Sequence, residues 1–132
     1  DGAVAAARAR LGPDAVIGVS CYNETQRALE AEADGATYVA LGSAFPSATK
    51  PHAVRADLAV FREARRRVAL PVVAIGGIDA DNAASVIAAG ADAVAVISAV
   101  FGAADVAAAA RQIASRVMAA RRVAVPHSSG TG

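Results

Sequence analysis

Short apolar segments alternate with longer amphipathic segments along most of the chain. The short segments are rich in Val, Ile and Ala, as buried strands are, and they cover residues 15–19, 37–41, 72–75 and 92–97. The longer segments predict helices over residues 3–11, 23–33, about 56–68, 79 or 81 to 89, and about 104–122. The pattern therefore predicts an α/β protein in which helices connect parallel strands.

The unit of strand and helix repeats with similar local sequence. Residues 33–40 and 88–95 share a helix end, a Gly-Ala pair and a strand in the same order. Such repetition favours a TIM (β/α)8 barrel over an open doubly wound sheet, which requires a reversal of strand order. A complete barrel has eight strands and about 250 residues, so this chain would supply half of one. Because a half barrel leaves unpaired edges, we expect the isolated chain to self-associate or to need the other half.

Composition limits the kind of protein that this chain forms. Its 132 residues include 13 Lys and Arg against 12 Asp and Glu, for a net charge of +1, and 55% are hydrophobic. We expect one globular domain in the cytoplasm, with no membrane span and no charge that favours nucleic acid. The sequence begins at Asp1 and a helical pattern follows at once, which indicates that the chain is part of a longer one.

Glycine and hydroxyl residues follow the predicted strands, at the edge where α/β barrels hold their active sites. Gly76 and Gly77 follow a strand and precede a predicted helix, so backbone N–H groups could approach a phosphate near a helix N-terminus. The same glycines would equally serve a tight turn that needs positive φ and binds nothing. Ser98, after the last strand, could add an amide and a hydroxyl or only cap the next helix.

The segment from Gly42 to Lys50 is longer than an ordinary connection between strand and helix, which has ~2–6 residues. It carries Ser47, Thr49 and Lys50, whose two hydroxyls and one ammonium could surround phosphate oxygens. Lys50 could also stabilise a leaving anion. The alternative interpretation is a solvated surface loop with no ligand.

The remaining reactive residues give little support for other chemistry. Ser20, at a strand end, lacks a partner for a catalytic triad because His52 and His127 lie in a loop and in the tail, so we interpret it as a ligand. We interpret Cys21 as a small buried residue rather than a nucleophile. The spacing of Cys and His residues is not that of a zinc site.

Five segments carry motifs that occur together in a known family. They are IGVS at 17–20, AEADGATYV at 31–39, FPSATK at 45–50, VAIGGI at 73–78 and AVISA at 95–99. In this order and spacing they resemble the thiamine-phosphate synthase family, up to about residue 122. The resemblance implies that residues 1–122 are the last four βα units of that family's barrel and that residues 123–132 form a flexible tail.

The resemblance implies a transferase that joins hydroxymethylpyrimidine pyrophosphate to thiazole phosphate, giving thiamine phosphate and pyrophosphate in thiamine biosynthesis with Mg²⁺. By motif position, Lys50 and Ser20 are catalytic and hold the pyrophosphate. The residues implied to bind thiazole phosphate come from three strand ends: Ser47, Thr49, Gly77, Ile97 and Ser98. Ala48 is implied to be a further substrate-binding residue. Asp1 matches a Mg²⁺-binding aspartate if one extra residue is allowed in the turn at 12–13, and a carboxylate suits this hard cation.

The chain also departs from the family. Ser47 stands where Thr is usual, and Cys21 and Tyr22 stand where Thr-His or Ala-His is common. The family's N-terminal pyrophosphate-binding Gln, Arg and Lys and its Asn-Asp Mg²⁺ pair have no counterpart, so we expect the isolated chain to be inactive. Two alternatives remain open. One is a protein like thiazole tautomerase, whose catalytic histidine is missing near Ser20, and the other is a non-catalytic phosphate-binding half barrel.

Overall fold

Helices and strands alternate along the chain in the computed structural model, which describes residues 2–46, 52–96, 99 and 103–124, the last four without side chains. The elements are α1 (Ala3–Leu11), β1 (Gly18–Tyr22), α2 (Thr25–Ala33), β2 (Tyr38–Leu41), α3 (Leu58–Arg67), β3 (Val72–Ile75), α4 (Ala83–Ala89), β4 (Ala93–Ala95) and α5 (Val106–Ala124). Among the described residues, none of these helices has both the length and the apolar composition needed to cross a membrane.

The four strands form one parallel sheet in the order β1-β2-β3-β4. Its register pairs Val19 with Val39, Val39 with Val72, and Val73 with Ala93. Each strand lies beside its neighbour in sequence without any reversal, as in a (β/α)8 barrel and unlike a doubly wound sheet. The predicted α/β class with a parallel sheet is confirmed.

The helices cover one face of this sheet. Helices α2, α3, α4 and α5 pack against one another in sequence order, and α2, α3 and α4 also contact the strands. The interface is rich in small side chains, and Ala28, Ala64, Ala74 and Ala83 are fully buried. Phe61 of α3 is the largest fully buried side chain. Alanines let the helices approach the sheet closely, so few large side chains are needed to fill the core.

The opposite face of the sheet carries exposed or half-buried residues, some of them large, such as Val73 and Ile75. Gly18, Ser20 and Ala93 point to this face, because side chains alternate along a strand and their neighbours Val19 and Cys21 face the helices. Tyr38 lies across Gly18 so closely that a Cβ there would overlap its ring. In a closed barrel this face forms the interior.

Most predicted element boundaries agree with the structure to within two residues, but the predicted first strand, residues 15–19, is displaced. It begins at Gly18 and continues to Tyr22. The Ala15 carbonyl accepts a hydrogen bond from Arg8 Nη1 at 2.6 Å, and the Ile17 N–H donates to Thr37 Oγ1 at 3.0 Å. These side chains bind the Ala15 carbonyl and the Ile17 N–H, so backbone pairing with the neighbouring segment begins only at the Ile17 carbonyl, which accepts from the Thr37 N–H at 2.7 Å.

Arg8 attaches α1 to the amino-terminal edge of the sheet. Its Nη1 also donates to the Gly12 carbonyl at 3.1 Å, and its Nη2 donates to the Gly35 carbonyl at 2.7 Å and to Thr37 Oγ1 at 3.2 Å. No residue of α1 is buried. The helix is therefore held mainly by these hydrogen bonds rather than by apolar packing.

Replacing Arg8 with Met should lower the free energy of unfolding by about 1–3 kcal/mol, because a charged donor would be lost from several backbone carbonyls. Arg10→Met is the matched control, since Arg10 is exposed on the same helix. Urea unfolding followed by circular dichroism compares the two variants. Equal stability would contradict the role given to Arg8.

Candidate functional site

The carboxyl ends of the four parallel strands lie along one edge of the sheet. Two connections meet there. The first is the β2 loop, residues 42–57, of which 47–51 lie outside the described residues. The second is the diglycine, Gly76 and Gly77, directly after β3. Both connections carry candidate ligands predicted from the sequence, and the structure brings the described part of the first against the second.

The β2 loop is closed at its base by backbone hydrogen bonds. We call residues 42–46 its outgoing limb and residues 52–57 its returning limb. The Ser43 N–H donates to the Val54 carbonyl at 2.6 Å, and the Ala56 N–H donates to the Ser43 carbonyl at 2.9 Å. Ser43 Oγ also donates to the Phe45 carbonyl at 2.7 Å. The two limbs therefore run side by side, and the loop has a fixed base.

The outgoing limb also pairs with the end of β3. The Ala44 N–H donates to the Ile75 carbonyl at 2.9 Å, and the Phe45 N–H donates to the Gly76 carbonyl at 3.1 Å. Ala44 is buried as a result. The chain consequently enters the predicted ligand segment, which starts at Ser47, from a position against the diglycine.

Both glycines are required by this packing. Gly76 has φ of +91° and Gly77 has φ of +68°, which an L side chain rarely adopts. A Cβ on Gly76 would overlap Ser43, and one on Gly77 would lie 2.5 Å from the Phe45 carbonyl oxygen and 2.8 Å from that of Pro46. Positive φ and close approach account for both glycines without a ligand, so the phosphate role of Gly77 stays a prediction.

The turn after the diglycine differs from the sequence expectation. No helix begins beside the glycines, since α4 starts at Ala83 with Asn82 as its cap, where Asp79 or Asp81 was predicted. Asn82 Nδ2 donates to the Gly77 carbonyl at 2.9 Å, and Asp79 Oδ1 accepts from the Asn82 N–H at 3.0 Å. These bonds occupy the N–H group of Asn82 and the carbonyl of Gly77, and the predicted phosphate site at the diglycine stays a prediction.

Ser20 lies within β1, two residues before the end of the strand. Its side chain is exposed on the open face, and among the described residues its hydroxyl has no hydrogen-bond partner. The register pairs Ser20 with Ala40 and Ala40 with Val73, which lies four residues before Gly77. Because β2 also separates β1 from β3, Ser20 and Gly77 are separated both across the sheet and along the strands.

Tyr22 ends β1 in an unusual backbone conformation that the sequence did not reveal. Its φ is +58°, and the pairing of β1 with β2 shifts register between Ser20 and Tyr22. The Tyr22 carbonyl accepts from the Gly42 N–H at 3.1 Å, and its ring stacks on the Arg27 guanidinium, 5.5 Å from the centroid. The bulge exposes the ring at the carboxyl edge.

Cys21 is fully buried, which confirms its interpretation as a small core residue. Burial raises the pKa of its thiol above the ordinary value. The charge of Arg27 lowers the pKa and that of Glu24 raises it, both by less. Less thiolate therefore forms at neutral pH than for an exposed cysteine, so Cys21 is a poor nucleophile.

The other predicted site residues lie outside the described residues. They are Asp1, Ser47, Ala48, Thr49, Lys50, Ile97 and Ser98. Their roles stay predictions. The described neighbours on either side are informative: Pro46 precedes Ser47 and lies against Gly77, while Val96 precedes Ile97 and follows β4, the strand beside β3.

The possible ligands for a divalent metal are scattered in the described part of the chain. Within the part of the chain that the structure describes, no three His, Cys, Asp or Glu side chains are grouped so that they could hold a metal ion. Asp79, the acidic residue closest to the diglycine in sequence, already accepts hydrogen bonds from the N–H groups of Asp81 and Asn82. The described residues therefore contain no cluster of three such ligands, and Asp79 is engaged by the turn.

Comparison with known proteins gives consistent results. A family model described as thiamine monophosphate synthase matches residues 1–100. A thiamine-phosphate synthase of Methylococcus capsulatus is 60% identical over 122 residues, which are 92% of this chain and 54% of that protein. One of Methylobacillus flagellatus is 62% identical over 112 residues, 85% of this chain and 53% of that protein. The chain thus spans about half the length of the curated relatives it matches.

A solved structure agrees with the sequence comparisons. The thiamine phosphate pyrophosphorylase from Pyrococcus furiosus superimposes with a TM-score of 0.80 at 41% identity, covering 91% of this chain and 56% of that chain. The four βα units therefore match part of that protein in their arrangement as well as in sequence.

Replacing Gly77 with Ala should destabilise the protein by about 2 kcal/mol or more, because the positive φ and the overlap with the outgoing limb each carry a cost. Gly2→Ala is the matched control, since a Cβ there meets nothing within 4 Å. Urea unfolding measures the stability, and limited proteolysis of the β2 loop tests its displacement. A Gly77→Ala variant as stable and as resistant as Gly2→Ala would contradict this packing.

Proposed function

Because this chain belongs to the thiamine monophosphate synthase family, we propose that it carries part of the active site of a thiamine-phosphate synthase. In the proposed reaction the bond between the pyrimidine methylene carbon and the pyrophosphate oxygen breaks, and pyrophosphate leaves with the electron pair. The thiazole ring nitrogen then forms the new bond to that carbon. The products are thiamine phosphate and pyrophosphate.

The observation that carries this proposal is the contact between the outgoing limb of the β2 loop and the diglycine. The Pro46 carbonyl lies within 2.8 Å of the position that a Gly77 Cβ would occupy. The next residues in sequence, Ser47 to Lys50, supply two hydroxyls and an ammonium. We propose that these groups and the Gly77 backbone bind one phosphorylated substrate, because hydroxyls and an ammonium are suitable donors to phosphate oxygens.

Each candidate ligand has a proposed role that follows from charge. Lys50 and Ser20 would hold the pyrophosphate, where the ammonium offsets charge that develops on the departing oxygen. Ser47, Ala48, Thr49, Gly77, Ile97 and Ser98 would hold the phosphate of the thiazole. The separation of Ser20 from Gly77 across β2 supports two distinct anion positions.

Magnesium remains part of the proposal only through Asp1. When bound, Mg²⁺ would offset the charge of a pyrophosphate, and a carboxylate is a suitable ligand for it. The described residues do not supply a site, so we assign no step to the metal. The cytoplasm is the proposed location, as expected from the sequence.

A chimera tests the proposal. In it, this chain replaces the matching residues of the Methylococcus capsulatus protein, which is 60% identical over 122 residues. We expect the chimera to form thiamine phosphate from the two substrates with Mg²⁺, measured by chromatography of the product. The parent protein is the positive control, and the isolated chain should be inactive. A folded chimera that makes no thiamine phosphate would contradict the proposal.

Changing Lys50 to Ala in the active chimera should lower turnover by about 100-fold or more, because stabilisation of the leaving anion is lost in the transition state. His52→Ala is the control, an exposed residue of the same loop with no assigned role. Turnover of each variant is measured at saturating substrate. If Lys50→Ala turned over as fast as His52→Ala, the catalytic role of Lys50 would be excluded.

A further inference from the structure

Arg55 links the two limbs of the β2 loop through its side chain. It lies on the returning limb between Val54 and Ala56, both of which share backbone hydrogen bonds with Ser43. Its guanidinium Nη2 donates to the Ala44 carbonyl at 3.0 Å. The side chain therefore crosses from one limb to the other, one residue beyond the backbone bonds at the base.

The peptide group that Arg55 binds is central to the loop. The Ala44 N–H donates to the Ile75 carbonyl, so the residue is attached to β3 on one side and to Arg55 on the other. Ala44 is also 3% exposed, which leaves little water to satisfy its carbonyl in place of Arg55. Loss of the guanidinium would leave this acceptor poorly satisfied and free the limb to shift.

Arg55 is not used in an ion pair within the described residues. The arginines that do form such pairs there are Arg27 with Glu24, Arg65 with Asp92 and Arg67 with Glu63. No carboxylate competes with the Ala44 carbonyl for the Arg55 guanidinium in this part of the structure. The hydrogen bond to Ala44 is thus the interaction that fixes the Arg55 side chain.

We propose that Arg55 is a positioning residue for the phosphate of the thiazole substrate. It holds the outgoing limb against β3 through the Ala44 carbonyl, and so fixes the last described residues before the segment that is proposed to bind the phosphate. Arg55 acts on the substrate through the loop rather than by contact. This inference rests on the proposed function, because the substrate is the one proposed there.

The test compares three variants in the active chimera. Arg55→Met removes the donor and the charge, Arg55→Lys keeps both, and Arg62→Met removes the same charge from an exposed position on α3. Arg55→Met should raise the KM for thiazole phosphate about tenfold, as expected for losing a hydrogen bond worth ~1.4 kcal/mol, with a smaller change in kcat. Arg55→Lys should restore KM to within about threefold of the parent value, and Arg62→Met should leave it unchanged.

Ionic strength separates positioning from a direct charge effect. If Arg55 acted by attracting the anion, high salt would raise the KM of the parent chimera to that of Arg55→Met, because salt screens exposed charges. A positioning role predicts that the difference in KM persists in high salt. Equal KM values for Arg55→Met and Arg62→Met, or a difference abolished by salt, would overturn the inference.

A measurement that does not depend on activity uses the folded chimera, in which the other half of the barrel is present. Hydrogen exchange of the Ala44 and Phe45 amides reports the attachment of the outgoing limb to β3. Arg55→Met should accelerate exchange at both amides at least tenfold, whereas Arg62→Met should not. Unchanged exchange in Arg55→Met would overturn the inference whether or not the chimera is active. An inactive chimera with accelerated exchange would contradict the proposed function and leave the attachment by Arg55 supported.

Discussion

The close approach of two backbone segments at the carboxyl edge of the sheet is the constraint on which the site depends. The outgoing limb of the β2 loop donates two amides to the end of β3. Those bonds form only because Gly76 and Gly77 have no Cβ where Ser43, Phe45 and Pro46 lie. A buried backbone group left unpaired costs about 1–3 kcal/mol, so a side chain there would force one of the two segments away. The two glycines are therefore required for this packing. Their backbone is exposed beside the predicted ligands as a consequence.

The two faces of the sheet differ in what they contact. Alanines on the helix side allow α2, α3 and α4 to pack close to the strands, and Phe61 fills the remaining space. The opposite face carries the small residues Gly18, Ser20 and Ala93 beside larger ones, of which Tyr38 and Val73 are examples. In a closed barrel these side chains form the interior, and the connections after the strands carry the predicted ligands.

The sequence predicted local features well and long-range contacts poorly. The bounds of β3 agreed because Pro71 and Gly76 punctuate an apolar run of four residues. The start of β1 was wrong because Arg8 and Thr37 bind its preceding backbone, and neither contact leaves a local signal. The sequence identified the diglycine but not why both positions require glycine. The positive φ is a local property of the turn, whereas the close approach of Phe45 depends on how the fold brings the β2 loop to β3. Arg55 was missed because an arginine in a polar loop is usually solvated.

A loop that binds an anion must be ordered in the right place before the substrate arrives, or binding energy is spent on ordering it. In the β2 loop the backbone bonds of Ser43 order the base, and those of Ala44 and Phe45 set the direction of the outgoing limb. An ordering contact has most effect where it is nearest to the ligands, because small rotations at the base become large displacements farther along the chain. Arg55 acts one residue beyond the bonds of Ser43, between the fixed base and the predicted ligands. The most effective ordering residue need not touch the substrate, and a search restricted to groups that could bind phosphate would pass over it.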